Sequence, residues 1–283
     1  MNHLAVLITG WLLTLTVSAA SLKFSTFPSN DPGKIVRALT PFVEHLTRES
    51  GFDIELVIAR DYDELFERLQ EGTVDIAWLN SLSYAKLRHT DSPPRYLATY
   101  TERNARGEIT PYYHAYIVTL ANSGIDEADD MVDTVFGFVD RGSTSGYAYP
   151  YMMLVERGIE PEEFFRDIFF MKKHDRVLEA LVAGSLDAGA MSDGTYFNGI
   201  DKYGERFRIL LQSDPIPLDA LVADRTIDTD IIAELRRIIV EISSDSPVTR
   251  AVADHLGWPA AGFRVLDESF YDSLNEALRY LND

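Results

Sequence analysis

Apolar and polar positions alternate along this chain in two registers that take turns. Residues 22–27, "LKFSTF", alternate with the period of a strand. Asp31 and Pro32 then open a helical pattern with Ile35, Leu39, Phe42 and Leu46 on one face, closed by Gly51. "DIELVIA" (53–59) reads as a second strand. A short helix carrying Leu65, Phe66 and Leu69 follows and stops at Gly72, and "VDIAW" (74–78) reads as a third strand. The order β-α-β-α-β predicts a largely parallel sheet with helices on both faces.

The pattern returns further on. "EGTVDIAWLN" (71–80) resembles "AGSLDAGAMS" (183–192): each follows an amphipathic helix with Gly, a hydroxyl residue, an apolar residue, Asp and a small or apolar strand. The repeat predicts two similar α/β lobes rather than one long sheet. The first lobe is expected to hold residues 21–117 and 213–283, and the second residues 118–212. "YIVTLANSG" (116–124) would carry the chain across and "FRILLQSDPIP" (207–217) would bring it back, with the helices after Thr229 and Glu268 packing on the first lobe. Two crossings between α/β lobes make a hinged clamshell with a ligand cleft.

Charge narrows the partners. The 283 residues carry a net charge of −19, which argues against nucleic acid or an anionic membrane, since both need a basic face. A small anion in a closed pocket answers to nearby dipoles and stays possible. There are no cysteines, so disulfides, thiolate zinc sites, cysteine nucleophiles and a cysteine-linked lipid anchor are excluded. Residues 1–20 run apolar from Leu4 to Val17 and then small through Ser18, Ala19 and Ala20, the pattern of a cleaved secretory signal peptide. No later segment is long and apolar enough to span a bilayer.

The candidate chemistry centres on "DRGSTSGYAYP" (140–150), between a strand pattern and a helix pattern. Gly142 and Gly146 bracket three hydroxyls, Ser143, Thr144 and Ser145. Glycines let backbone approach a ligand, and a helix start supplies N–H groups and partial positive charge. The loop can therefore bind a tetrahedral oxyanion without Lys or Arg. It lacks the ending of a Walker loop. Pro150 marks the first turn of the true helix, leaving 143–148 as a looser nest. Two other readings stay open. Ser143 or Thr144 can simply cap the helix. Alternatively "GSTSG" is a nucleophile elbow with Thr144 central, His174 as base and Asp187, Asp193 or Asp219 as third member, although the order Thr, His, Asp runs against the elbow's Ser, Asp, His.

Other polar positions fall at strand ends, where open α/β sheets bind ligands. His174 stands before a helix capped by Asp175, and by pattern alone reads as an exposed loop residue. Tyr62 ends the second strand; its ordinary role is to pack its ring. Trp78 and Asn80 end the third strand, with Ser81 capping the next helix. Tyr112 and Tyr113 stand beside the hinge, one ring of the two belonging to the core. Asp219 follows a Pro-rich turn, and the acidic run 126–133 reads as a solvated face.

These residues resemble the periplasmic solute-binding proteins of phosphonate, phosphite and phosphate ABC importers. The likeness covers residues 22–264. It rests on "DYDELFERLQEGTVDIAWLNSLSY", "STSGYAYPYMMLVERGI", the helix at His174, "DAGAM", "PIPLDALVA" and "HLGW". It implies an α/β periplasmic-binding-protein clamshell, type II-like, without cofactor or metal, working in the periplasm as a monomer. The resemblance gives Ser143, Thr144 and Ser145 the phosphorus-group oxygens, Tyr62 and Tyr112 hydroxyl donation from the other lobe, His174 the rest of the oxyanion shell, and Asp219 a place facing the ligand. The family's aminophosphonate binders carry a glutamate that falls near Gly194 here, with Asp193 adjacent as a substitute. A P–OH group or a ligand amine would meet Asp219. The implied partner is an ABC permease. A sensor that presents its ligand to a receptor kinase is the alternative, and a Thr144/His174 hydrolase a further one.

Overall fold

The helix expected after Asp31 spans Pro32–Ser50. The Asp31 carboxylate accepts from the N–H groups of Gly33 and Lys34, Pro32 occupies the first turn, and Gly51 closes the helix with φ 74°. Ile35, Leu39, Phe42 and Leu46 are buried on its inner face. The computed structural model describes residues 21–104 and 106–282; the expected signal peptide, residues 1–20, lies outside them.

Two sheets divide the chain. The first takes its strands in the order Ala260–Arg264, Arg95–Arg103, Ala220–Ala223, Ile76–Leu79, Ser21–Thr26 and Asp53–Ile58, with Ile109–Thr110 paired to Arg95–Arg103. The second runs Phe207–Gln212, Ala115–Leu120, Ala188–Ser192, Val135–Phe138 and Asp167–Phe170. In each, three strands are parallel: Ser21–Thr26 between its two partners, and Val135–Phe138 between its own. The other main strands pair antiparallel, so both sheets are mixed rather than largely parallel. The reason is the double crossing. A strand that arrives from the other sheet, such as Ala220–Ala223, starts at the shared edge, whereas a βα unit brings its strand to finish there.

The repeat has a structural cause. Gly72 and Gly184 both adopt left-handed φ, 67° and 71°. Asp75 then accepts from the N–H of Lys23 at 2.7 Å, and Asp187 from that of Val135 at 2.8 Å. The backbone N–H of each aspartate returns a bond to the same residue's carbonyl. The aspartate thus fastens the third strand of each parallel trio to the start of its central strand.

The chain passes between sheets through Tyr112–Tyr113 and Ile216–Pro217, which pair antiparallel as a two-stranded ribbon. Residues 115–117, expected in the first lobe, pair in the second sheet. The helix Leu274–Asn282 packs on both Ser81–Arg88 and Tyr149–Val155 and so bridges the two halves. Among the described residues no helix is long and apolar enough to cross a membrane.

Candidate ligand-binding site

Six helix starts point at one cavity. Its walls include Ser29 and Asn30 before Pro32–Ser50, Tyr62 opening Tyr62–Gln70, and Asn80 before Ser81–Arg88. From the second half come Ser143, Thr144 and Ser145, then His174 opening His174–Val182, and Ser192 to Thr195 at the start of Asp193–Tyr203. Helix starts carry unpaired N–H groups and partial positive charge, and they favour an anion. Among the described residues no Lys or Arg lines the cavity.

The hydroxyl loop caps its helix and lines the cavity. Thr144–Ala148 is a wide, π-type turn, and the α-helix proper starts at Tyr149 with Pro150 in its first turn. Ser143 caps it by accepting from the Gly146 N–H at 3.1 Å. The helix start leaves the Thr144 and Ser145 N–H groups without intrahelical acceptors. Gly146 is required by close approach: a Cβ there would stand 2.5 Å from Val139 Cβ and 2.9 Å from Ser143 Oγ. Gly146→Ala should therefore destabilise by about 1–3 kcal/mol through overpacking, read as a lowered melting temperature without ligand.

Thr144 joins the two lobes. Its Oγ1 accepts from Asn80 Nδ2 at 3.0 Å, the Leu82 N–H at 3.0 Å and Ser81 Oγ at 3.3 Å. Asn80 Nδ2 also donates to the Gly142 carbonyl at 2.8 Å. Asn80, not Ser81, is the cap residue, and its amide is turned across the cleft. The His174 N–H donates to the Ser29 carbonyl at 3.2 Å, and Asn198 Nδ2 to the Leu256 carbonyl at 3.2 Å. The clamshell is closed.

His174 is buried rather than exposed, and it opens its helix in place of Asp175. Its Nδ1 accepts from the Ser192 N–H at 3.2 Å, which puts the proton on Nε2, 3.4 Å from Ser143 Oγ. Burial pushes its pKa down to about 4. His174 is therefore a neutral donor at physiological pH. That geometry removes the triad: Nε2 carries a proton already, Nδ1 faces an N–H instead of a carboxylate, and Asp187 is spent on Val135.

Tyr62, Ser143, Thr144, Ser145, His174, Asp193 and Asp219 all line the cavity; Tyr112 does not. Tyr112 is 42% exposed, and Tyr113 takes its place beside Ser145 and Thr144. Neighbours on a strand face opposite sides, so only one of the pair can turn inward. Burial raises the hydroxyl pKa values of Tyr62 and Tyr113, which keeps both as donors.

Three carboxyls share the cavity. Asp193 accepts from the N–H groups of His114 at 3.0 Å and Gly194 at 2.8 Å. Asp219, buried at 7% exposure, accepts from Trp78 Nε1 at 2.9 Å. Burial pushes it up to about 7, against the lowering effect of Trp78. Glu102, which the sequence reading missed, is the third. Its signal was present: Tyr100 and Glu102 share strand parity at the end nearest the crossing. Phe27, Tyr100, Leu218 and Trp258 complete the wall. The cavity measures about 50 Å³, room for about four waters at ~10–15 Å³ each.

The model of a family described as the phosphonate periplasmic substrate-binding proteins of ABC transporters matches residues 24–271. The chain belongs to that family. Its members bind and deliver, so it is a periplasmic substrate-binding protein and not an enzyme. The phosphate-import protein PhnD of Mycolicibacterium smegmatis is 25% identical over 234 residues, 78% of this chain and 71% of that one. The PhnD1 structure from Prochlorococcus marinus, solved with methylphosphonate, superposes with TM-score 0.80 at 18% identity, covering 93% of this chain and 98% of that one. That likeness identifies the periplasmic-binding-protein fold. The tetrathionate sensor histidine kinase TtrS of Salmonella typhimurium is 25% identical over 166 residues, 58% of this chain but only 28% of the kinase.

Proposed function

We propose that the ligand is a small phosphorus oxyanion of phosphate, phosphite or methylphosphonate size, captured with a P–OH group still protonated and passed to an ABC permease. One observation carries the reading. The cavity offers helix starts, hydroxyls and a neutral histidine to an anion, yet presents the Asp219 carboxyl and, among the described residues, no Lys or Arg. A fully ionised oxyanion would have to draw a proton from solvent onto Asp219 before the cleft could close on it. A P–OH supplies the proton, which separates such ligands from sulfate. The free volume of about 50 Å³ supports a ligand of a few heavy atoms. Tyr62, Tyr113, Ser143, Thr144, Ser145 and His174 hold the oxyanion, and Asp219 reads its proton, with Asp193 behind. The two sheets move as lobes about the ribbon of Tyr112–Tyr113 and Ile216–Pro217.

The test is a melting series with phosphate, phosphite, methylphosphonate, 2-aminoethylphosphonate and sulfate, followed by calorimetry. A hundredfold excess over Kd adds about 2.7 kcal/mol of stability. A shift with a phosphorus compound and none with sulfate is expected, as is a loss of about 10- to 100-fold for Thr144→Ala, from a buried hydrogen bond to a charged ligand. Equal shifts with sulfate would sink the reading.

The likeness to part of a sensor kinase supports a second output for the same site. A deletion strain separates the two: an importer's loss abolishes uptake of the bound compound, whereas a sensor's loss abolishes only induction.

A further inference from the structure

The three cavity acids are not equivalent. Asp193 has both oxygens on backbone N–H groups, and Asp219 has Trp78. Among the described residues the one side-chain partner of the Glu102 carboxyl is the Tyr100 hydroxyl beside it on the same strand, which is buried and bonds nothing else. The strand Arg95–Arg103 aims both into the cleft, next to the ribbon.

Among the described residues the charged groups bearing on Glu102 are both negative, Asp193 and Asp219. Tyr100 faces it from its own strand, Asp193 from the start of Asp193–Tyr203, and Asp219 from the segment entering Ala220–Ala223; the lining also brings Tyr113 and Trp258. His114 stands behind Asp193, donating its N–H to that carboxylate. Burial first, then the charges of Asp193 and Asp219, hold the Glu102 carboxyl well above the usual carboxylate range. Closing an anion into the same space pushes it further the same way.

We propose that Glu102 is a specificity-determining residue of this site: it meets the oxyanion as a neutral acid and donates a hydrogen bond to one of its oxygens, so that capture draws a proton into the cleft. The inference rests on the oxyanion reading above. It gives Glu102 and Asp219 opposite tasks, one donating to an ionised oxygen and the other accepting from P–OH. The competing task for Glu102, pairing as an anion with a ligand ammonium, needs space for a linker and an amine beyond the oxyanion. An ammonium would also have to reverse the setting in which Asp193 and Asp219 oppose an ionised Glu102.

The test measures methylphosphonate and 2-aminoethylphosphonate affinity from about pH 6 to 9 for wild type, Glu102→Gln and Glu102→Ala. Calorimetry in two buffers of different ionisation enthalpy counts protons taken up. A site that must hold one proton loses about tenfold in affinity per pH unit above its empty pKa. The glutamine amide donates without titrating. Glu102→Gln should therefore stay within about threefold of wild type at low pH, lose less on the alkaline side and take up about one proton fewer. Glu102→Ala should be weaker by about tenfold or more throughout the acid range. Two results overturn the proposal while leaving the oxyanion reading intact: wild-type behaviour in both variants, or Glu102→Gln losing 2-aminoethylphosphonate alone, which marks an ionised amine partner. If wild type binds no phosphorus compound, both readings fall.

Discussion

Gly142→Ala should bind methylphosphonate about 10- to 100-fold more weakly than wild type, while its melting temperature without ligand stays within about 2 °C. The glycine lies on the loop of the second lobe, and the first lobe's Tyr62 lies directly against it. A Cβ at Gly142 would overlap Tyr62 Cβ and come within 2.8 Å of its Cγ. The clash exists only in the closed molecule. Overpacking of this kind costs about 1–3 kcal/mol, and a hundredfold in affinity is about 2.7 kcal/mol. That cost falls on closure alone, because separated lobes relieve it. Closure is also what brings Asn80 onto Thr144 and onto the Gly142 carbonyl. The contrast with Gly146→Ala makes the prediction specific. That methyl would strike Val139, which lies in the same lobe, so it should lower the melting temperature whatever the ligand does. Calorimetry and thermal unfolding on both variants check this. A Gly142→Ala protein that melts far lower yet binds normally would show the clash to be internal to one lobe.

Much of this architecture was legible because it rests on local rules. The Asp31 cap, the left-handed Gly51 and the apolar stripe from Ile35 to Leu46 each announce one helix. The repeated Gly-x-x-Asp was visible because the aspartate does the same backbone work at Asp75 and Asp187. Strand order could place Tyr62, His174 and the hydroxyl loop at the cleft edge, where all of them line the cavity, but pattern alone left each with an ordinary role and only the family resemblance gave them ligand roles. What pattern could not reach was decided by tertiary placement. Local order gave no reason to choose Tyr113 over Tyr112, since their alternation is fixed only by which side of the crossing ribbon meets the second lobe. His174 read as exposed because its burial comes from Ser29 and Ser143, far away in sequence. Beyond the strand parity it shares with Tyr100, nothing in the local pattern singled out Glu102. Its meaning depends on Asp193 and Asp219 arriving from two other segments.

Asp219→Asn should be the more stable protein without ligand at about pH 8, and the poorer phosphonate receptor at every pH. Folding lifts this carboxyl from 3.8 to about 7, chiefly by burial. Between those values the unfolded chain binds fewer protons than the folded one, so wild-type stability falls as pH rises through the window. Above about pH 7 the loss is complete and amounts to about 4 kcal/mol at ~1.36 kcal/mol per pKa unit. Opening the cleft hydrates the carboxylate without unfolding the protein, so that figure is a ceiling. Asparagine does not titrate. Its advantage should be absent near pH 4 and largest at pH 8, worth several degrees at roughly 2–4 °C per kcal/mol for a chain of this size. Binding moves the other way. The amide oxygen of the variant would stay with Trp78 Nε1, as the Asp219 oxygen does at 2.9 Å, which turns the amide NH₂ toward the ligand. A donor then faces P–OH, and an acceptor the ligand needs is gone, at a cost of about 10- to 100-fold in affinity. The same NH₂ suits a fully ionised oxygen, so the gap between methylphosphonate and sulfate should narrow from both sides. Melting curves at pH 5 and 8, with calorimetry on both ligands, test the two halves separately. An equal melting difference at both pH values would mean that Asp219 does not titrate in the folded protein. An unchanged preference over sulfate would mean that it does not read the ligand's proton. Stability gained together with selectivity lost would show that the fold carries this buried acid, at a cost to itself, for the sake of recognition.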